Sequence, residues 1–496
     1  MCNNKPFLAI YDISGIQEYI FATNELKQNI GASKIVGNLM KTELVDVLKS
    51  FDEPASIKWD WEANEPFQLL DKTAVRAEVV FIGGGNALVA YRDRQLFQQV
   101  NKRLSIRLIE KSYTLTLMIE EKEFEPAKSY YATYKELQNK LAQAKEERLR
   151  PKPFGAYPIS AQESFSGFPI TQKAGQSTIQ ALKARAAETS NLHELVKPPK
   201  EKKWALQIDD LKKKQDEDSY IAVIHIDGNG IGQKLDQTLE AHEGNSFSEE
   251  IQNHRRLSKD ISAGYRKLVE EVVQEIKWEE NDRPIPIRPL IMDGDDLTMI
   301  CRAEWGLPLT EALLTKMKTH TSETSLSLSA CAGIAYVHGH FPFHLAYEIA
   351  EACCKEAKSK RLKNEKNDSQ ESYIDFQLVR GSDPTERDVT GREEESLGRK
   401  RPYALSSEKD SLKKLIDIIK ELQGYRAEPN SLFPRSKQAQ LYQAYLKGAG
   451  HVEIMEEEFE SRKVPLKSIN RELLLDAFEL VDYYDGVIFK GKEEIV

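Results

Sequence analysis

Residues 220–231 read Y-I-A-V-I-H-I-D-G-N-G-I, an apolar run that delivers Asp227 into a glycine-rich turn. A second stretch near the start, P-F-L-A-I-Y-D-I-S-G-I at 6–16, does the same for Asp12, and both contain D-x-x-G-I. Each is followed about seventy residues later by two apolar runs around a tight turn. The first turn is Gly83-Gly84-Gly85-Asn86 and the second is Asp293-Gly294-Asp295-Asp296. The chain therefore repeats itself, and only the second copy carries acids in its turn.

Working outward, each copy predicts the order strand, helix, strand, strand, helix, strand, helix. In the first copy these fall at 7–11, 15–50, paired strands in 77–92, 94–110, 113–121 and 127–150. In the second they fall at 220–226, helices at 233–245 and 255–278, paired strands in 286–304, then 308–319, 325–337 and 343–360. The last helices also rhyme, A-K-E-E-R at 144–148 against A-K-S-K-R at 357–361. This is the split βαβ, ferredoxin-like plan. The expected class is α+β, with two βαββαβ palm domains, an interposed irregular or helical segment and a C-terminal helical region. The expected boundaries are 1–150 for the first palm, 151–218 for the segment between, 219–376 for the second palm, 377–404 for a charged loop and 405–496 for the helices.

The totals bound the function. A chain of 496 residues, 40% apolar and 30% charged, has room for two to four domains with sizeable cores. No apolar run is long enough to span a membrane, and the N-terminus lacks a signal-peptide pattern, so a cytoplasmic protein without a membrane partner is expected. A net charge of −9 argues against duplex DNA as a partner. The basic stretches Lys197–Lys214 and Gly398–Arg401 read as solvated linker. Five cysteines, none in C-x-x-C spacing, exclude a zinc ribbon and a disulfide framework. Cys353 and Cys354 read as core-facing, and His338, His340 and His344 as loop packing or solvent.

The acids carry the chemistry. A strand ending at Asp227 brings its carboxylate to the sheet edge, because Gly228-Asn229-Gly230 cannot continue a packed strand. The same run lets a backbone approach a phosphate at the following helix start. If the hairpin strands neighbour this one, Asp227 meets Asp295 and Asp296 at one edge, and these three can hold two Mg²⁺ or Mn²⁺ ions. Alone, a D-G-D-D turn is ordinary hairpin chemistry. A calcium loop is disfavoured because Thr238 stands where that loop requires Glu. No G-K-[ST] marks a P-loop.

Strand-Asp-Gly-Asn-Gly with a hairpin D-G-D-D resembles the palm of nucleotide cyclases and polymerases. With D-I-S-G-I-Q at 12–17 and C-A-G-I-A-Y-V at 331–337, the doubled arrangement resembles the large subunit of type III CRISPR effector complexes, the Cas-ten family, over about residues 7–376. That resemblance implies ATP or another nucleoside triphosphate as substrate and a cyclic oligoadenylate-like messenger of antiviral defence as product. It places metals on Asp227, Asp295 and Asp296. It assigns nucleotide contacts to Gly228, Asn229, Gly230, Asp293, Gly294 and Lys358, with Lys358 on the donor triphosphate. It assigns Ser14, Gly84 and Gly85 to an acceptor pocket in the degenerate palm. It further implies CRISPR effector subunits and guide RNA, or a downstream messenger-activated effector, as partners. The chain departs from the family in three ways: Asp293 replaces the first signature glycine, no His-Asp dipeptide marks a nuclease domain, and no four-cysteine zinc element is present. A trimmed relative is expected. The alternative is a non-catalytic or weakly catalytic scaffold subunit of a type III CRISPR RNA-guided complex; a diguanylate cyclase, which pairs two active palms from two chains, fits less well.

Overall fold

The computed structural model describes residues 5–52, 56–63, 65–147, 159–163, 167–171, 176–189, 196, 198–199, 202–212, 219–278, 284–319, 328–364, 371–381, 389, 398–406, 411–464, 469–486 and 489. The elements of the first half are β1 (Phe7–Ser14), α1 (Ile16–Phe21), α2 (Leu26–Asn38), α3 (Val45–Lys49), β2 (Ile57–Lys58), β3 (Ala77–Gly83), β4 (Asn86–Tyr91), α4 (Arg94–Ser112), β5 (Thr116–Glu123), α5 (Tyr130–Glu147) and α6 (Thr178–Glu188). A π-helical stretch, Leu39–Leu44, joins α2 to α3. The second half holds β6 (Tyr220–Gly228), α7 (Ile231–Glu240), α8 (Phe247–Glu275), β7 (Ile287–Asp293), β8 (Asp296–Arg302), α9 (Gly306–Thr319), β9 (Ala330–His338), α10 (Phe343–Asn364), β10 (Tyr373–Leu378) and β11 (Tyr403–Ala404). Four helices follow: α11 (Leu412–Ala427), α12 (Arg435–Lys447), α13 (Ala449–Ser461) and α14 (Leu474–Leu480).

The first sheet has the order β2-β3-β4-β1-β5 and the second β11-β10-β9-β6-β8-β7. Removing β2, β10 and β11 leaves the same antiparallel ferredoxin-like core twice, with the aspartate strand inside. The copies agree to the residue. Asp12 faces Asn86, and Asp227 faces Asp296. Each hairpin also carries a bulge at the same place, between Val79 and Phe81 in β3 and between Pro289 and Ile291 in β7. The α+β reading holds. What the alternation of residues did not show is that the second sheet has six strands: β10 joins β9 in parallel and β11 closes the edge.

The two halves dock crosswise. Helix α8 is 29 residues long and begins well before the predicted 255, because Ser246 and Glu249 form a reciprocal capping box. Its first turns leave their own sheet and lie on the first one. Phe247 stacks on Phe124 at 4.3 Å, and Glu250 accepts the Tyr131 backbone N–H at 2.9 Å, capping α5. His254 Nδ1 lies 2.6 Å from the Tyr130 hydroxyl. Arg255 donates to the Val79 and Val80 carbonyls and pairs with Glu78 at 3.0 Å. Reciprocally, α2 approaches β7, where Ser33 donates to the Leu290 carbonyl, and Asn24 caps α10 at the Phe343 N–H, 2.9 Å away.

One sequence reading is corrected. Gly398–Arg401 is not solvated linker. The Arg401 side chain is 1% exposed and pairs with Asp476 and Glu479, Arg399 also reaches Glu479, and the Tyr403 hydroxyl donates to Asp476 at 2.6 Å. Burial works against charge on Glu479, but Arg401 and Arg399 outweigh it and hold its carboxyl below the usual range. This buried network fastens α14 to the sheet edge; a charge run reveals its partners only when tertiary structure brings them. Cys353 and Cys354 are buried, as expected. The part of Lys197–Lys214 at 197, 200–201 and 213–214 lies outside the described residues. Among the described residues no helix is long and apolar enough to cross a membrane.

Candidate active site

Strand β6 runs between β8 and β9, so its apolar residues are buried on both faces and its C-terminal end emerges beside the β7–β8 hairpin. Asp227 is opposite Asp296 on one side and Cys331 on the other. Lys358, on α10, sits 2.5 Å from Asp227 Oδ2 and donates to the Gly228 carbonyl at 3.1 Å. The first copy repeats this contact: Lys145 of α5 sits 2.8 Å from Asp12. The rhyming A-K words therefore hold equivalent positions.

Gly228 is required by crowding. A Cβ there would lie 2.6 Å from Ile231, 2.7 Å from the Tyr265 hydroxyl and 2.8 Å from Asp295 Cβ. Its N–H donates to the Asp295 carbonyl at 3.2 Å, and the Asn229 N–H to the Ser329 carbonyl at 2.7 Å. These two amides are thus spent on holding the hairpin and the start of β9 and are not offered to a phosphate. Gly230, at φ 62°, caps α7.

The two turns differ in a way that explains their composition. In the acidic turn the left-handed residue is Gly294, at φ 64°; in the first copy it is Gly85, at φ 75°. The left-handed position has moved by one residue, so position 295 accepts an aspartate. A Cβ on Gly85 would lie 2.5 Å from Ile16.

Both turns line one cleft of about 760 Å³ between the halves, with Gly84 and Asn86 from the first and Gly294, Asp295 and Asp296 from the second. Among the described residues Gly85, Ser14, Asp227 and Lys358 do not line it. The side chain of Asp293 lies outside the described residues. The structure thus unites Asp227, Asp296 and Lys358 at the strand end and brings Asp295 to the cleft, while Ser14 stays at the end of β1 opposite Thr116.

Three neighbours escaped the sequence reading. His225 Nδ1 is 3.4 Å from Asp296 Oδ1 and 3.2 Å from Thr298 Oγ1. Burial pushes its imidazole down to about 4, against the pull of Asp227. Tyr347 is buried with its ring 5.4 Å from His225, and Tyr265 is buried against Gly228; burial raises both hydroxyls, reinforced by the aspartates. The alternation of β6 could have found His225, two residues before Asp227 and so on the same face.

The donors suit a hard divalent cation, being carboxylate oxygens in register across two strands. Among the described residues no three acidic, His or Cys side chains surround one metal-sized point. Mg²⁺ is commonly held by one or two carboxylates with substrate phosphates completing its shell, so Asp227 and Asp296 fit such an ion as part of a nucleotide complex.

Residues 220–367 match the family model of the Cas10/Cmr2 second palm domain. Among solved structures, a chain of the Csm1-Csm4 cassette in complex with pppApA superposes at TM-score 0.55 and 14% identity, covering 97% of this chain and 69% of that one. The cassette in complex with cA3 gives 0.54 at 14% identity, again 97% and 69%. The cassette in complex with AMPPNP gives 0.53 at 15%, covering 98% and 69%. These identities speak for the fold alone. No curated protein matches. Residues 220–367 are thus similar to the second palm domain of the Cas10/Cmr2 family, and the chain as a whole shares its fold with the Csm1 chains it superposes on.

Proposed function

We propose that the chain is a metal-dependent nucleotidyltransferase of a type III CRISPR system, joining ATP molecules into a cyclic oligoadenylate-like messenger. The observation that carries this reading is the placing of Asp227, Asp295 and Asp296 where β6 and the β7–β8 hairpin end, beside a cleft walled by the other palm's turn. Asp227 and Asp296 hold the divalent ion, with Asp295 facing the cleft. When bound, that ion offsets negative charge on the triphosphate and favours the ionised form of the attacking hydroxyl. The 3′-oxygen of one nucleotide forms a bond to the α-phosphorus of another, the bond from that phosphorus to the β-phosphate bridging oxygen breaks, and pyrophosphate leaves with the hydroxyl proton passing to water. Lys358 presents its ammonium to the donor triphosphate. Gly84, with Ser14 and Gly85 behind it, shapes the acceptor side, where the absence of side chains leaves room for a nucleotide. The matched cassettes pair Csm1 with Csm4, and an equivalent partner subunit is part of this proposal.

The test is incubation with each nucleoside triphosphate and Mg²⁺ or Mn²⁺, with products read by mass spectrometry. Wild type yields cyclic oligonucleotides, and Asp295→Ala/Asp296→Ala yields none while its circular dichroism is unchanged. Equal synthesis by that variant would sink the assignment. The Lys358–Asp227 contact favours one alternative, a scaffold subunit, because it balances a carboxylate without metal or nucleotide. Absence of product from wild type, free or assembled with guide RNA and partner subunits, would select it.

A further inference from the structure

The internal repeat supplies a comparison for every buried charge at the junction of the halves. Glu78 immediately precedes the bulge of β3, and Arg288 holds the same place in β7. Glu78 finds a partner there: Arg255 of α8 lies 3.0 Å away. At the equivalent place on the other side, α2 offers Ser33, whose hydroxyl is already given to the Leu290 carbonyl. Among the described residues Arg288 thus has a matching location and no matching carboxylate.

The guanidinium is nevertheless buried, with 3% of the residue exposed. Its hydrogen bonding among the described residues is one long contact, Nη1 to the Ala205 carbonyl at 3.4 Å, and its Nε has no partner. Burial pulls its pKa down to about 10. A buried cation without a counter-ion is costly, and this one lines the inter-palm cleft. Asn38 and Lys41 line the same cleft from α2 and the π-helical stretch, and Glu18 lines it from α1; Lys34 also borders it, but its ammonium donates to the Thr189 carbonyl and hydroxyl.

We propose that Arg288, in a cleft that Asn38 and Lys41 also line, forms an anion subsite that takes a phosphate group remote from the acidic hairpin. Arg288 stands five positions before Asp293 in β7, roughly 17 Å along an extended strand. A nucleotide seated at the carboxylates need not extend that far, whereas a linear chain growing along the cleft carries its 5′-phosphates toward Arg288. The planar guanidinium fork matches phosphate oxygens in pairs. The subsite then holds the 5′ end of a linear intermediate while its 3′ end is extended; released pyrophosphate offers the same chemistry. This assignment rests on the nucleotidyltransferase reading for its ligand, but binding can be measured without catalysis.

The experiment uses the full chain in EDTA with a fluorescent linear adenosine trinucleotide bearing either a 5′-triphosphate or a 5′-hydroxyl. Wild type should bind the triphosphorylated form at least tenfold more tightly, and Arg288→Met should erase the difference. Because the variant removes an uncompensated buried charge, its ligand-free melting temperature should be unchanged or higher; a purely structural arginine would lower it. Arg288→Lys, which keeps charge and loses the fork, should retain part of the preference. Competition by sodium pyrophosphate would assign the subsite to free polyphosphate, and failure to compete would assign it to the chain end. Equal or absent binding of the two trinucleotides by wild type, or a preference that survives in Arg288→Met, overturns the proposal. If the preference appears and no synthesis occurs, the catalytic reading fails and the subsite stands. If synthesis occurs and no preference appears, the catalytic reading stands and the subsite fails.

Discussion

At the residue scale, the difference between the two palms is set by one left-handed backbone position. Adding an acid to the first turn does not recreate a second site, because Gly85 is left-handed and its missing Cβ would meet Ile16 at 2.5 Å. Gly85→Asp should therefore lower stability by about 1–3 kcal/mol in chemical denaturation, with no gain in product per molecule. His225 and His254 give a second prediction. Burial depresses both imidazoles, to about 4 and about 3, below the unfolded value near 6.5. The unfolded chain then binds more protons between those limits, so stability is fully present above pH 6.5 and falls as the pH drops toward 4. The loss is at most about 1.4 kcal/mol per pH unit for each histidine. Urea midpoints across that window should show the slope, and His254→Gln should make it shallower. The same residues show what could be read beforehand. Asp227, Asp295 and Asp296 were legible because strand ends and D-G turns are local features. His225 was available in the alternation of β6, two residues before Asp227, whereas Tyr265 and Arg288 became visible only when α8 and strand register placed them, since nothing local distinguishes a buried Arg from a solvated one.

At the element scale, the crossing of α2 and α6 depends on a single glycine. A Cβ at Gly31 would stand 1.7 Å from the Lys183 carbonyl. In an ordinary helix interior Gly→Ala stabilises by up to about 1 kcal/mol. Here Gly31→Ala should destabilise by more than about 3 kcal/mol, through overpacking against backbone, and the reversed sign in a urea titration is the diagnostic. Element order was legible because both periods, 2 and 3.6, are well written in the two copies. Lengths were less so. The start of α8 was hidden by its polar opening, S-E-E-I-Q-N-H, which reads as loop until Glu250, His254 and Arg255 meet the other half. Strands β10 and β11 were hidden because one adds in parallel after a long helix and the other is two residues long.

At the scale of the molecule, the junction is unequal on its two sides. The α8–β3 side has a buried ion pair, a helix cap and stacked rings; the α2–β7 side has a hydroxyl contact, a cap and one stack. Glu78→Gln or Arg255→Met should each cost about 3–5 kcal/mol by stranding the other group. The double variant should cost clearly less than the sum in a double-mutant cycle on urea unfolding. Equal and additive losses would show that the pair does not couple the halves.

The crosswise exchange of α2 and α8 has the form of an isologous contact, in which each partner gives the other the same element. Between two identical chains every substitution at such a contact is made twice, so an arginine gained on one side is an arginine gained on both. Joined in one polypeptide, the halves escape that rule. Glu78 acquires Arg255 while its counterpart position holds Arg288 facing a cleft, a division of labour closed to a symmetric pair. One half is free to be fastened and the other to be left open for a guest.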